Sequence, residues 1–136
     1  MANILVVEDD PMSADFLRLC LERKGGYQVR VSINPAQVLE TVKELWPTVI
    51  LMDVSLGGAE LEGRAIDGLE LTRRVRAIPG AAKIPVILFT AHAMAGDRER
   101  LLTQSGADDY VTKPIADYRL FLQKLRTFVV KNEPPP

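Results

Sequence analysis

The feature that most constrains this chain is a series of short apolar runs that each end on a charged or hydroxyl residue. Ile4-Leu5-Val6-Val7 ends at Glu8-Asp9-Asp10, Val49-Ile50-Leu51-Met52 at Asp53, and Pro85-Val86-Ile87-Leu88-Phe89 at Thr90. Continuous runs of this kind, without polar alternation, belong to strands buried on both faces. Two weaker strand patterns complete the set. Tyr27 to Val31 alternates, and Asp109 to Thr112 is a short run that ends at Lys113-Pro114.

Helical stretches lie between these runs. Asp10-Pro11 and Asn34-Pro35 each place a capping side chain before a proline at the first helical position. Phe16, Leu17, Cys20 and Leu21 form the stripe of the first helix, which Gly25-Gly26 stop. Val38, Leu39, Val42 and Leu45 form the second, and Trp46-Pro47 end it. Asp67-Gly68 open a third, carrying Leu69, Leu71, Thr72 and Val75 and closed by Pro79-Gly80. Asp97 to Ser105 is a fourth, and Leu120, Phe121, Leu122, Leu125, Phe128 and Val129 mark a fifth. Five strands alternating with five helices predict an α/β fold. Right-handed crossovers then give a doubly wound five-stranded parallel sheet between two helical layers, a three-layer α/β/α arrangement.

The 136 residues suit one domain over 1–130, followed by a disordered tail at 131–136 without a core residue. Hydrophobic content of 47% and charged content of 26% exclude a disordered chain. No apolar run approaches a membrane span and the amino terminus has no secretory pattern, so no membrane partner is expected. Cys20 is the single cysteine, which permits no internal disulfide and makes a reducing cytoplasm the default location. A net charge of −1 predicts no general affinity for nucleic acid.

In an open parallel sheet, ligands bind beyond the carboxyl ends of the strands. The first strand brings Glu8 and Asp9 there, the third Asp53, the fourth Thr90 and the fifth Lys113. Any one carboxylate at a strand-to-helix junction is as readily a helix cap as a functional group. Together they are not, because like charges ~4 Å apart repel by roughly 4 kcal/mol at an effective dielectric of 20. A hard cation such as Mg²⁺ relieves that repulsion while keeping waters for a phosphate. Metal, spare carboxylate, hydroxyl and ammonium suit phosphoryl transfer to a carboxylate, with Asp53 as nucleophile.

Val6-Val7-Glu8-Asp9-Asp10, Leu51-Met52-Asp53, Phe89-Thr90-Ala91 and Tyr110-Val111-Thr112-Lys113-Pro114 resemble, in order and spacing, the response regulator receiver domain. The resemblance runs from about Asn3 to Val130 and implies the flavodoxin-like (βα)5 fold. It implies that Glu8 and Asp9 hold Mg²⁺ (Glu8 through water), that Asp53 accepts the phosphoryl group, and that the Ser55 backbone carbonyl is a further metal ligand. Asp10 falls one past the acidic pair and reads as the helix cap. Thr90 resembles the switch hydroxyl, Tyr110 the switch aromatic and Lys113 the phosphate-contacting lysine, before a proline often cis in the family. The small Ala91 leaves access for a phosphodonor. Tyr110 also reads as an ordinary half-buried strand aromatic, and His92 either as a position that tunes dephosphorylation or as an exposed residue without a role.

The implied function is a stand-alone response regulator. It is phosphorylated by a sensor histidine kinase or a histidine phosphotransfer protein and signals to a protein target through the fourth-helix, fifth-strand, fifth-helix face. The segment Ala91-His92-Ala93-Met94-Ala95-Gly96-Asp97 is similar to receivers of multistep relays. One departure stands out: 13 residues lie between Asp53 and Asp67, more than family members usually have, and Gly57 replaces the usual proline. Residues 57–66 read as an extended loop, either a tolerated surface insertion or one that reads partners or shields the site. A haloacid-dehalogenase-type phosphatase needs a second Asp two past the nucleophile, where Ser55 stands. A phosphorylation-independent receiver should lack an acidic residue or the lysine, and none is missing. A dinucleotide enzyme is excluded by the absence of a Gly-rich fingerprint after the first strand.

Overall fold

The computed structural model describes residues 2–91 and 96–132; of Asn132 only the backbone is described. Expectations for His92 and for the tail beyond Asn132 lie outside the described residues. The first four strands of the main sheet alternate with α-helices: β1 (Asn3–Val7), α1 (Pro11–Gly25), β2 (Gln28–Ser32), α2 (Pro35–Leu45), β3 (Val49–Asp53), α3 (Gly68–Arg76), β4 (Val86–Thr90) and α4 (Asp97–Ser105). β5 (Asp109–Thr112) and α5 (Tyr118–Asn132) complete them, so the last helix runs two residues past 130. The sheet is parallel throughout, in the order β2-β1-β3-β4-β5. This is the expected fold class.

Alternation along the central strands divides the core in two. Leu5 and Val7 of β1, Ile50 and Met52 of β3, and Val86 and Leu88 of β4 pack against Val38, Val42, Leu71, Val75 and Leu101 from α2, α3 and α4. Ile4, Val6, Val49, Leu51, Ile87 and Phe89 point to the other face and meet Leu17, Leu21, Phe121, Leu125 and Val129 from α1 and α5. A sheet covered on both faces needs apolar residues at every position of its central strands, hence the continuous runs. Both proline-led helix starts are realised: Asp10 accepts from the Ser13 N–H at 3.4 Å, and Asn34 from the Gln37 N–H at 3.1 Å. Trp46 closes α2 with φ 51°.

Two expectations change. Residues 57–66, read as an extended loop, hold secondary structure. Glu60–Leu61 and Arg64–Ala65 form a small antiparallel hairpin, turned by Glu62 (φ 55°) and Gly63 (φ 78°). Positive φ at both central residues is the geometry that matches strand twist in a two-residue turn. Leu56 is buried beneath it, and Ala59 and Ile66 pack on the α2–α3 side of the core. Phe16, on the apolar stripe of the first helix, is exposed, as is Leu120 of the fifth. Ala14, Leu17 and Leu21 are the inward line of α1, which turns Phe16 away to rest edge-on against Tyr118 at 5.2 Å between ring centres.

Candidate functional site

The carboxyl edge of the sheet is where the residues singled out in sequence meet. Val7 is aligned with Met52, Asp53 with Phe89, and Thr90 with Thr112. Glu8, Asp9, Asp53, Thr90 and Lys113 therefore emerge at one level. Strand-end hydrogen bonds hold that level: the Lys113 N–H donates to the Thr90 carbonyl at 2.7 Å, and the Val54 N–H to the Phe89 carbonyl at 2.9 Å. The Lys113–Pro114 peptide is cis. Helix α3 begins directly against β3. A side-chain carbon at Gly68 would lie 2.0 Å from the Asp53 carbonyl oxygen, so only glycine fits there.

Three carboxylates converge, with one oxygen from each of Glu8, Asp9 and Asp53 lying within 4.8 Å of the others. Glu8 and Asp53 are each 5% exposed, while Asp9 is half-buried. One ammonium faces them. Lys113 Nζ lies 2.8 Å from Glu8 Oε2 and 2.9 Å from Asp53 Oδ2. The remaining oxygens take backbone donors: the Ser55 N–H to Asp53 Oδ1 at 3.1 Å, and the Asp10 N–H to Glu8 Oε1 at 3.2 Å. Asp10 itself turns to Ser13, whose hydroxyl donates to it at 2.6 Å and holds its carboxyl below the ordinary value. Its side chain caps α1 and stays outside the three-carboxylate cluster.

The charges do not balance. Burial, and then its contact with Asp53, pushes the Glu8 carboxyl up to about 7, against the pull of Lys113 and the Asp10 N–H. Burial alone would lower Lys113, but its bonds to Glu8 and Asp53 outweigh this and raise it, keeping the ammonium charged. Crowded hard oxygen donors with one carboxyl driven toward protonation form a set that a divalent cation would complete. The set fits Mg²⁺.

Thr90 is buried and Tyr110 half-buried among the α2–α4 side of the core. Because Thr90 aligns with Thr112, and Leu88 with Tyr110, the two side chains stand on the same face of the sheet. Beyond them, Asp109 of β5 is bridged to Arg98 of α4 at 3.4 Å and to Lys124 of α5 at 3.2 Å. A shallow groove lined by Tyr110, Leu120 and Lys124 runs along that face. A second groove, of about 560 Å³, opens beside Glu8, Lys113 and Ala91 and is walled by Met12, Phe16 and Tyr118. Sequence reasoning missed that groove, and it missed a long-range contact of Gly57 with Asp9. A glycine at 57, where the family usually has proline, was the available signal for that contact.

The chain belongs to the response regulator receiver domain family, which matches residues 4–125. Receiver domains are signalling domains of two-component systems, phosphorylated by histidine kinases. Over 113 residues the chain is 38% identical to an uncharacterized 14.6 kDa protein of Leptolyngbya boryana, covering 83% of this chain and 79% of that protein. It is 32% identical to the polar-differentiation response regulator DivK of Brucella anthropi, covering 93% and 95%. Other relatives are longer, and the chain spans 53% of the DNA-binding response regulator MtrA of Mycolicibacterium smegmatis. Among solved structures, the receiver domain of the sensor histidine kinase PA1611 from Pseudomonas aeruginosa, with magnesium coordinated in its active-site cleft, superposes with a TM-score of 0.79. That comparison is at 31% identity and covers 95% of this chain and 98% of the other.

Proposed function

We propose that the chain is a response regulator receiver that accepts a phosphoryl group on Asp53 in a Mg²⁺-dependent step and signals by binding another protein. The observation that carries this reading is the placement of Asp53: buried at the end of a central strand, 2.9 Å from Lys113 and beside two further carboxylates. Glu8, Asp9, Asp53 and the Ser55 backbone carbonyl would hold the cation. Bound there, Mg²⁺ supplies positive charge against the transferred phosphoryl oxygens.

The donor is a phosphohistidine on a sensor histidine kinase or histidine phosphotransfer protein. An Asp53 carboxylate oxygen attacks phosphorus, the P–N bond breaks, and its electron pair returns to the imidazole, which takes a proton from water. The product is an acyl phosphate. Lys113 stays charged throughout and neutralises a phosphoryl oxygen. Ala91, small and exposed, leaves the approach open. Thr90 then moves toward the phosphoryl group and Tyr110 follows it inward, biasing a two-state equilibrium at the α4–β5–α5 face where the protein target binds. With no helix among the described residues long and apolar enough to cross a membrane, and one cysteine, the reading places the protein in the cytoplasm.

A small acyl phosphate with Mg²⁺ should add one phosphoryl mass to the wild type and none to Asp53→Asn. A label that persists in Asp53→Asn overturns the assignment.

A further inference from the structure

Gly57 is the first residue of the inserted segment to reach the acidic cluster, and it does so at very short range. With φ 39°, it turns its α-carbon toward Asp9, and a side-chain carbon there would lie 2.4 Å from Asp9 Oδ2 and 3.6 Å from Asp9 Cγ. Its neighbour Gly58 also has positive φ, 83°, but a side-chain carbon at that position meets nothing within 4 Å. Two adjacent glycines thus share a left-handed backbone, and only one of them touches the site. Asp9 is also the member of the cluster least restrained by the protein: it is half-buried and makes no hydrogen bond or ion pair among the described residues, whereas Glu8 and Asp53 are each held by Lys113 and a backbone N–H.

We infer that Gly57, at the root of the Glu60–Ala65 hairpin, is a positioning residue for the cation site: its bare α-carbon leaves room for the Asp9 carboxylate to stay aimed at the other two. The inference rests on the reading of Glu8, Asp9 and Asp53 as the Mg²⁺ site. It adds that the long connection after Asp53 is part of that site. Any side chain at 57 must push the Asp9 carboxylate away, and a short surface side chain yields easily. The fold then survives, while Mg²⁺, which tolerates little departure from octahedral geometry at 2.0–2.1 Å, loses a ligand. The coupling runs both ways by linkage. A cation that fixes Asp9 also restrains Gly57 and the hairpin above it, whose base is closed by the Ala59 N–H donating to Leu56 and the Ile66 N–H donating to Ala59, each at 3.0 Å.

The test compares Gly57→Ala with Gly58→Ala, which carries the same kind of backbone strain without the collision. Mg²⁺ affinity is measured on the unphosphorylated proteins by calorimetry, and amide exchange at Ala59 and Ile66 is followed with and without Mg²⁺. Gly57→Ala is expected to weaken Mg²⁺ binding by about tenfold or more, and Gly58→Ala to leave it within a factor of about two. Mg²⁺ should slow exchange at Ala59 and Ile66 in the wild type and in Gly58→Ala, and lose that effect in Gly57→Ala. Equal affinities in the two variants, or hairpin amides indifferent to Mg²⁺, overturn the inference and leave the metal site standing. A wild type that binds no Mg²⁺ overturns the metal site itself, and this inference with it.

Discussion

The two ends of the sheet hold opposite solutions to the same electrostatic problem. At the carboxyl edge, three carboxylates share one ammonium, and Glu8 is driven toward protonation as a result. At the amino edge, the Arg76 guanidinium is enclosed. It donates to the carbonyls of Gly106 at 2.9 Å, Ala82 at 3.2 Å and Ile84, and pairs with Asp108 Oδ2 at 2.7 Å. That same Asp108 oxygen accepts the Val86 N–H at 2.8 Å, at the start of β4. Each of the three guanidinium nitrogens donates, and the carboxylate partner is also tied to backbone. The difference teaches which cluster does what. A closed charge balance holds α3 and two loops to the sheet, while an open one stores repulsion that a cation and a phosphoryl group can relieve.

The closed end should break most severely. Arg76→Met keeps the apolar stem but strands several carbonyls and Asp108, and is expected to lower unfolding free energy by about 2–3 kcal/mol. Urea denaturation measures this, and labelling of the folded variant at Asp53 should be unchanged. A loss under about 0.5 kcal/mol would make the clamp no stronger than an ordinary surface pair.

The open end should carry a pH signature that the closed end lacks. The folded value for Glu8, about 7, lies above its ordinary 4.5, so between those values the metal-free native chain keeps a proton that the unfolded chain has released. This contribution is fully present below about pH 4.5 and is lost as pH rises through 7. Relative to Glu8→Gln, metal-free wild type should lose about 2 kcal/mol across that window. Mg²⁺ favours the ionised carboxyl, so saturating Mg²⁺ should stabilise more at the top of the window than at the bottom. Parallel pH profiles for wild type and Glu8→Gln would show that Glu8 stores no repulsion.

Removing one charge should also have opposite signs at the two ends. Asp53→Asn relieves Glu8, and the metal-free variant should gain about 1–2 kcal/mol in stability while losing Mg²⁺ affinity. Asp108→Asn, by contrast, leaves Arg76 without a counter-charge and should destabilise. A melting temperature for Asp53→Asn that is flat or lower would place the carboxylates in a site already balanced by Lys113.

How much of this was legible in the sequence depends on the range of the interaction. Strands covered on both faces announce themselves as unbroken runs such as Val49–Met52, and Asp10-Pro11 and Asn34-Pro35 carry their caps within three residues. Glu8, Asp9, Asp53 and Lys113 could be brought together because the carboxyl ends of parallel strands share one edge by construction. The hairpin was not readable, since strands of two residues are too short to show a period of two. The exposure of Phe16 was not readable because a stripe defines a helix face but not its edge, and Phe16 sits at the rim beside a groove. The Arg76 clamp and the Gly57–Asp9 approach join residues far apart in the chain, and no local pattern names the distant partner of either.

The hairpin supplies a third arrangement of charge, and the weakest expected effect. Glu62 Oε1 lies 2.9 Å from Arg74 Nη2, but the side chains are 74% and 40% exposed, so the pair should contribute only a few tenths of a kcal/mol. Glu62 also occupies a left-handed position, φ 55°, directly before Gly63 at 78°. Asn adopts that conformation more readily than Glu, and Asn-Gly is the preferred pair for such a turn. Glu62→Asn therefore loses an exposed ion pair and gains turn geometry. The expected result is a rise of about 0.5 kcal/mol in urea unfolding with the denaturant slope unchanged. If stability falls instead, the exposed pair outweighs the backbone, and burial is not what separates the strong charge cluster at Arg76 from the weak one at Arg74.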